Sequence, residues 1–312
     1  MTTSRLLTGL SAFPLTPIAD DTVDERAFAR IVERLATGDV DSITALGSTG
    51  SYAYLDRDER RRVVELAVAS AGDVPVLAGI GHVRTREVLR HADDAQAAGA
   101  SGLLLAPVTY QALTDDEVLT LFADVSSAVS VPVVVYDNPG TTHVSFSDEL
   151  HARISRLPHV EAIKIPPVTG GVDVVRARVD SLRSAVAPEV TIGISGDAVA
   201  ADALVAGCDA WFSVLAGTLP GPCRAIVDAT TAGDAQEAQR ISGLLDPLWR
   251  LFGAHGSYRV VAALAEDLGL VAHPSLPRPV LPLDEGSRAD VHAALASFVR
   301  KGWSSSDPAP GP

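Results

Sequence analysis

The chain has little cysteine and almost no lysine. Its two cysteines in 312 residues, Cys208 and Cys223, are too few for a disulfide framework and lack the spacing of a metal site. We therefore expect a reducing, cytoplasmic setting. Of the 25 basic residues only Lys164 and Lys301 are lysines, and all the others are arginines. The position of Lys164 in the apolar stretch 160–165 therefore needs an explanation.

The chain also lacks an excess of positive charge, and it lacks a long apolar run without charged residues. Its net charge of -14 argues against nucleic acid or an anionic membrane as a partner, although a small anionic substrate remains compatible. The longest apolar-rich stretch, 198–219, contains Asp202 and Asp209, so we expect no membrane span. Pro14 and Pro17 interrupt the N-terminal apolar run, which is a poor signal peptide. The histidines have no ligand spacing, so we expect neither a metal nor another cofactor.

Eight short apolar runs recur along the chain, with a step of roughly 30 residues, the length of a βαβ unit. They are rich in Val, Ile and Leu and nearly continuous rather than alternating. This pattern is typical of parallel strands that are buried on both faces. Amphipathic segments of helical length lie between them. The runs begin at Leu7, Ser42, Val74, Ser101, Val131, Val160, Val190 and Asp209.

Eight strand–helix units predict an α/β fold of the closed (β/α)8 type, the TIM barrel. An open doubly wound sheet is the alternative, but it would usually carry a Gly-rich fingerprint after the first strand, where Phe13 and Pro14 stand. After Thr218 only helical patterns follow, and the segment 234–253 reads as one helix. We expect a barrel at 1–232, a small C-terminal helical lobe at 233–303 and a disordered tail at 304–312.

Unusual polar residues follow the predicted strands. The second strand runs into GSTGS at 47–51, the fifth into YDNPGTTH at 136–143, and the seventh into SGD at 195–197. Lys164 stands late in the sixth strand. Because this barrel type places its chemistry at the C-terminal ends of the strands, the pattern predicts one site there.

Lys164 stands between two isoleucines, where burial is expected. A free lysine titrates near pH ~10.4 and is a poor nucleophile at neutral pH. Burial lowers the pKa, so the neutral amine can attack a carbonyl and form an imine, which acts as an electron sink. Arginine cannot do this, because it stays protonated. The alternative is a lysine that only snorkels to the surface or pairs with a carboxylate, but its rarity and its position favour catalysis.

Two neighbouring features could serve the same site. The GSTG turn offers backbone N–H groups and the hydroxyls of Ser48 and Thr49 to a carboxylate or a phosphate. An ordinary glycine-rich turn is the alternative. Tyr136 offers a phenol for proton transfer, and a packed core tyrosine is its alternative.

GSTG, YDNPGTT, the strand lysine and SGD, in this order from Leu7 to Pro220, resemble the dihydrodipicolinate synthase / N-acetylneuraminate lyase family. The stretch 74–107 is similar to the third and fourth units of that family. The resemblance implies a pyruvate-type class I aldolase on a (β/α)8 barrel, often a homotetramer built as a dimer of dimers. It implies a small 2-oxo acid as substrate, with or without an aldehyde, and a homo-oligomer, either a dimer or a tetramer.

The resemblance also implies residue roles. Lys164 would form the Schiff base, Tyr136 would carry protons to and from the substrate, and Ser48 would link into that relay. Thr49 would hold the carboxylate of the 2-oxo acid. The substrate-binding residues predicted in this way are Gly47, Thr49, Thr141, Gly196, Phe212 and Tyr110.

Several positions depart from the family pattern. Thr141 stands where dihydrodipicolinate synthases usually carry an arginine that receives the carboxylate of the aldehyde. Val108 and Thr109 occupy the places of a tyrosine pair, and Tyr110 stands one step later. Ser51 replaces the usual glutamate after the first motif. We therefore expect a Schiff-base lyase whose acceptor is not aspartate semialdehyde.

The sequence leaves open the type of reaction and two alternative functions. Aldol cleavage, aldol condensation and dehydration all proceed through the same imine. A non-catalytic relative that binds a 2-oxo acid is one alternative function. A phosphate-binding barrel enzyme, with GSTG holding the phosphate, is the other.

Overall fold

The computed structural model describes residues 5–299, which form a closed barrel of eight parallel strands surrounded by helices. The predicted (β/α)8 fold with helices at its C-terminal end is therefore confirmed, and each predicted run contains one strand. The barrel strands are β1 Gly9–Ala12, β2 Ser42–Ala45, β3 Val76–Gly79, β4 Gly102–Leu105, β5 Val133–Tyr136, β6 Val160–Ile165, β7 Thr191–Ile194 and β8 Ala210–Ser213.

Each strand pairs with the next strand in the chain, and β8 closes the barrel against β1. The side chains alternate between two buried layers. In β5, Val134 and Tyr136 face the barrel interior, whereas Val133 and Val135 pack in the layer between the strands and the helices. Because both layers exclude water, the strands read as continuous apolar runs.

Helices follow the strands and cover the barrel. Capping boxes begin two of them, at Asp56 with Glu59 and at Thr114 with Glu117. The α-helices of the described part are α1 Glu25–Ala36, α2 Arg57–Ser70, α3 Thr85–Ala97, α4 Asp115–Ala128, α5 Pro139–Thr142, α6 Asp148–Ile154, α7 Val172–Ala185, α8 Ala200–Val205, α9 Pro220–Thr231, α10 Ala235–Leu244, α11 Asp246–His255, α12 Ser257–Asp267 and α13 Glu285–Val299.

The C-terminal helices α10–α13 follow the last barrel helix, and α10 packs against α8 and α9. The prediction of one helix over 234–253 is wrong, because the chain forms two helices that meet at Leu245. Pro247 lies in the first turn of the second helix, where a missing N–H costs nothing. The boundary at residue 233 stays a prediction, and the predicted tail at 304–312 lies outside the described residues. Within residues 5–299, no helix has the length and apolarity needed to cross a membrane.

Candidate active site

Lys164 stands one residue before the end of β6 and faces the barrel interior. Ala162 belongs to the interior layer, and Ile163 and Ile165 belong to the layer under the helices, so the period of two turns Lys164 inward. The strand register aligns it with Tyr136 on β5. Only 2% of Lys164 is exposed. The amine is therefore held inside the C-terminal end of the barrel.

Three aromatic rings surround this amine. Nζ lies 3.9 Å from the centroid of the Phe13 ring, 4.0 Å from that of Tyr136 and 5.6 Å from that of Phe212. Burial lowers the pKa of Lys164 to about 7, and the attraction of Asp197 opposes this shift. A large share of the amine is therefore neutral near pH 7, which is the form that attacks a carbonyl. No carboxylate of residues 5–299 forms an ion pair with it.

Asp197 is a buried carboxylate that the sequence prediction did not assign, although it ends the SGD stretch. Its Oδ1 accepts a hydrogen bond from Trp211 Nε1 at 2.9 Å, and its Oδ2 accepts one from the Leu215 N–H at 2.8 Å. Burial raises the pKa of Asp197, while these bonds and the Lys164 amine oppose the rise. Its charge therefore limits how far the pKa of Lys164 falls. An acidic residue in the loop after β7 was the available signal.

The Tyr136 phenol is buried beside the Lys164 amine. Burial raises the pKa of Tyr136 to about 12, and an interaction with the Ser48 hydroxyl opposes this rise. The phenol oxygen accepts a hydrogen bond from Asn138 Nδ2 at 2.9 Å. Ser48 Oγ is buried and does not reach full hydrogen-bond geometry with any group in residues 5–299. The phenol thus stays protonated at neutral pH, and sequence reasoning missed the role of Asn138 in orienting it.

The GSTG turn follows β2 and packs beside the same aromatic cluster. The Gly50 N–H donates to the Gly47 carbonyl at 2.9 Å, which closes a tight turn. A Cβ on Gly47 would lie 2.5 Å from a ring carbon of Phe13. Glycine is therefore required here for Phe13 to reach Lys164. Thr49 in the middle of the turn is buried.

Gly196 and Phe212, both predicted substrate-binding residues, lie near the lysine for different reasons. Phe212 is an interior residue of β8, and its ring packs edge to face on Phe13, with 6.0 Å between the centroids. Gly196 has a φ of 87°. A Cβ on Gly196 would lie 2.5 Å from Cγ of Pro167, so the glycine lets the loop after β7 contact the loop after the lysine strand.

Thr141 and Tyr110, the other two predicted substrate-binding residues, lie at the surface of the single chain. Thr141 is exposed in the short helix α5. Tyr110 is 90% exposed in the loop after β4. The structure thus brings Lys164, Tyr136 and Phe212 into one cluster and leaves these two side chains outside it. Within the described part of the chain, no three metal-binding side chains are clustered.

A second buried titratable pair, Asp137 and His151, stands behind Tyr136. Asp137 Oδ2 and His151 Nε2 are 3.5 Å apart, and neither imidazole nitrogen makes a hydrogen bond within residues 5–299. The ring stacks on Phe146, with 5.0 Å between the centroids. Burial raises the pKa of Asp137 to about 7 and lowers that of His151 to about 4. Near pH 5 both groups are therefore neutral.

Residues 6–298 match the dihydrodipicolinate synthetase family. The chain belongs to this family. The expected resemblance is thereby confirmed, and so is the prediction of a lyase of the class I, Schiff-base-forming aldolase type.

Curated and solved members of the dihydrodipicolinate synthase family match nearly the whole chain. The 4-hydroxy-tetrahydrodipicolinate synthase of Phenylobacterium zucineum is 32% identical over 283 residues, which are 90% of this chain and 94% of that protein. A dihydrodipicolinate synthase from Agrobacterium tumefaciens is 44% identical, with a TM-score of 0.91 over 95% of this chain and 99% of that one. The enzyme from Acinetobacter baumannii, solved in complex with pyruvate, is 26% identical, with a TM-score of 0.85 over 94% and 99%.

The Asp137 and His151 pair predicts opposite pH dependences of stability in two variants. Folded Asp137 keeps its proton up to about pH 7, whereas the unfolded residue loses it near ~3.9, so its contribution to stability falls as pH rises between these values. Folded His151 binds a proton only below about pH 4, against ~6.5 when unfolded, so its contribution rises over a similar range. In the wild type the two contributions offset each other.

Asp137→Asn removes the first contribution and His151→Asn the second. As the pH increases from ~4.5 to ~6.5, the free energy of unfolding should therefore rise in Asp137→Asn and fall in His151→Asn. Each change should differ from that of the wild type over the same pH range by about 1 kcal/mol or more. Urea unfolding at several pH values measures these slopes. Equal slopes in both variants and the wild type would contradict the neutral buried pair.

Proposed function

We propose that this chain is a lyase that forms a Schiff base between Lys164 and pyruvate or a related 2-oxo acid. The observation that carries the proposal is the burial of the Lys164 amine among Phe13, Tyr136 and Phe212, which lowers its pKa to about 7. The Acinetobacter baumannii relative, which was solved in complex with pyruvate, supports a 2-oxo acid as the substrate. The two cysteines are free and buried, which supports a reducing, cytoplasmic location.

The proposed reaction begins at the neutral Lys164 amine. Nζ attacks the ketone carbon and forms a C–N bond, and the former carbonyl oxygen takes up protons and leaves as water. The Tyr136 phenol can supply one of these protons, because its raised pKa keeps it protonated near pH 7. In the protonated imine, the electron pair of a neighbouring C–H or C–C bond moves toward nitrogen. Proton removal then gives the enamine used in condensation, and C–C rupture gives aldol cleavage.

The GSTG turn is proposed to hold the carboxylate of the 2-oxo acid. The backbone N–H groups of Gly50 and Ser51 donate to carbonyls within the turn. Those of Ser48 and Thr49 would donate to the substrate carboxylate. With the Thr49 hydroxyl, they form the kind of concave donor set that binds anions. Ser48 would then also exchange protons with the Tyr136 phenol.

The acceptor side is proposed to differ from that of dihydrodipicolinate synthases. Thr141 cannot supply the cation with which those enzymes usually receive a carboxylate. We therefore propose that the acceptor is a less charged aldehyde, or that the substrate is a sugar-derived 2-oxo acid. Tyr110 is 90% exposed in one chain and could act in its own site or in that of a second copy, within a dimer or tetramer. A phosphate site is less favoured, because the loop after β7, where a further phosphate-binding loop would be expected, carries the buried Asp197 carboxylate.

The imine is tested by reduction with sodium borohydride in the presence of pyruvate. The wild type should gain one reduced adduct on Lys164, and Lys164→Ala should gain none there, because the variant retains only Lys301 as a lysine. Tyr136→Phe should still form the adduct. It should exchange the methyl hydrogens of pyruvate with deuterated water about 100-fold more slowly, since it lacks the proton carrier. No wild-type adduct with pyruvate or with a panel of 2-oxo acids would reject the proposal.

The acceptor is tested by pyruvate consumption with a panel of aldehydes. Aspartate semialdehyde should be a poorer acceptor than an uncharged aldehyde of similar length, because Thr141 cannot pair with its carboxylate. Thr141→Arg should raise the turnover of aspartate semialdehyde about 10-fold or more, the usual scale for one charge-assisted contact. Aspartate semialdehyde as the best acceptor of the wild type would contradict the altered site, and imine trapping would be unaffected by that result.

A further inference from the structure

A hydrogen bond joins the C-terminal helices to the turn that follows β2. Ser51 Oγ and the Tyr258 hydroxyl are 2.6 Å apart, although the two residues are 207 positions apart in the chain. Ser51 Oγ also donates to the Thr16 carbonyl at 3.3 Å. Because a serine hydroxyl has one hydrogen, this second bond makes Tyr258 the donor to Ser51. Burial raises the pKa of Tyr258 to about 12, so its phenol remains a donor near neutral pH.

Ser51 occupies a backbone conformation that needs support. Its φ of 61° and ψ of 11° are in the left-handed region, which residues other than glycine rarely adopt. Its side chain is fully buried. Leu46, at the other end of the turn, has a φ of 57°. The turn between them is therefore held in its shape by the groups packed around it rather than by its own preference.

Helix α12, which carries Tyr258, is itself anchored to the segment that follows β1. The side chain of Glu266, in its last turn, is 3% exposed and accepts hydrogen bonds from the Ser275 N–H, at 3.2 Å, and from the Ser275 hydroxyl, at 2.9 Å. Arg288 of α13 also binds Glu266. The Ser275 carbonyl in turn accepts from the Ile18 N–H, at 3.0 Å. The phenol of Tyr258 is thus presented to the turn by a fixed support.

We propose that Tyr258 is a positioning residue for the 2-oxo acid: its hydroxyl holds Ser51, and Ser51 holds the turn 47–51 in the shape that receives the substrate carboxylate. The inference rests on the proposed role of this turn as the carboxylate site. Ser51 stands where the family pattern has glutamate, so the contact with Tyr258 is a feature of this chain's own residues. The C-terminal helices thereby contribute to binding without touching the substrate.

Pyruvate itself is the probe for this proposal, and borohydride trapping is the readout. Tyr258→Phe and Ser51→Ala should each raise the half-saturating pyruvate concentration about 3- to 10-fold, the effect of one neutral hydrogen bond. The trapping rate at saturating pyruvate should stay within about 2-fold, because the carboxylate is bound equally before and during the reaction. The double variant should be no worse than either single one, since both break the same contact.

Two further variants separate positioning from general stability. Ser51→Gly should retain tighter pyruvate binding than Ser51→Ala, because glycine adopts a φ of 61° without cost, and it should partly restore binding in the Tyr258→Phe background. Tyr54→Phe, a phenol of the same loop that is 48% exposed, is the matched control and should behave as wild type.

Unchanged half-saturation in Tyr258→Phe, with adduct formed by the wild type, would overturn this inference and leave the proposed function standing. Additive effects of Tyr258→Phe and Ser51→Ala, or equal loss in Ser51→Gly and Ser51→Ala, would also overturn it. Absence of any adduct in the wild type would instead reject the proposed function. Urea unfolding of each variant identifies a loss of fold, which would lower the amplitude of trapping rather than move its half-saturation.

Discussion

The burial of one lysine amine is the constraint on which the rest of the site depends. Lys164 stands among Phe13, Tyr136 and Phe212, and this apolar surrounding lowers the pKa of its amine to about 7. Any change that admits water would favour the protonated, unreactive form. The charge of Asp197 acts in the opposite direction and limits how far this pKa falls. The site is therefore a balance between desolvation and one carboxylate, held by the barrel strands.

The barrel explains why these groups meet. Parallel strands in register bring Tyr136 and Lys164 side by side, and the short turn after β2 brings Gly47 against Phe13. The chain also carries constraints that do not come from the strands. A helix near the C-terminus reaches the turn through Tyr258, so the binding geometry depends on residues far from the reacting atoms. The geometry of the site thus depends both on the register of the strands and on one contact between distant parts of the chain.

Much of this organisation could be predicted from the sequence. The strands were recognisable because burial on both faces makes them continuous apolar runs, and Lys164 stood out as a lysine between isoleucines. Phe13 was missed because its role comes from contacts with residues distant in the chain, and Asn138 was missed because no sequence pattern marks its hydrogen bond to Tyr136. The Ser51 and Tyr258 contact spans 207 positions and leaves no local signal. The single helix predicted over 234–253 was wrong, since its apolar period continues through a proline that begins a new helix.

The most direct test is the titration of Lys164 by NMR. Lysine labelled with 13C at Cε gives two side-chain signals, because the chain has only two lysines, and the signal lost in Lys164→Ala is that of Lys164. Without substrate, the account predicts a titration midpoint near 7 for this signal. A midpoint near ~10.4, the value of a free lysine, would show a solvated amine and contradict the account.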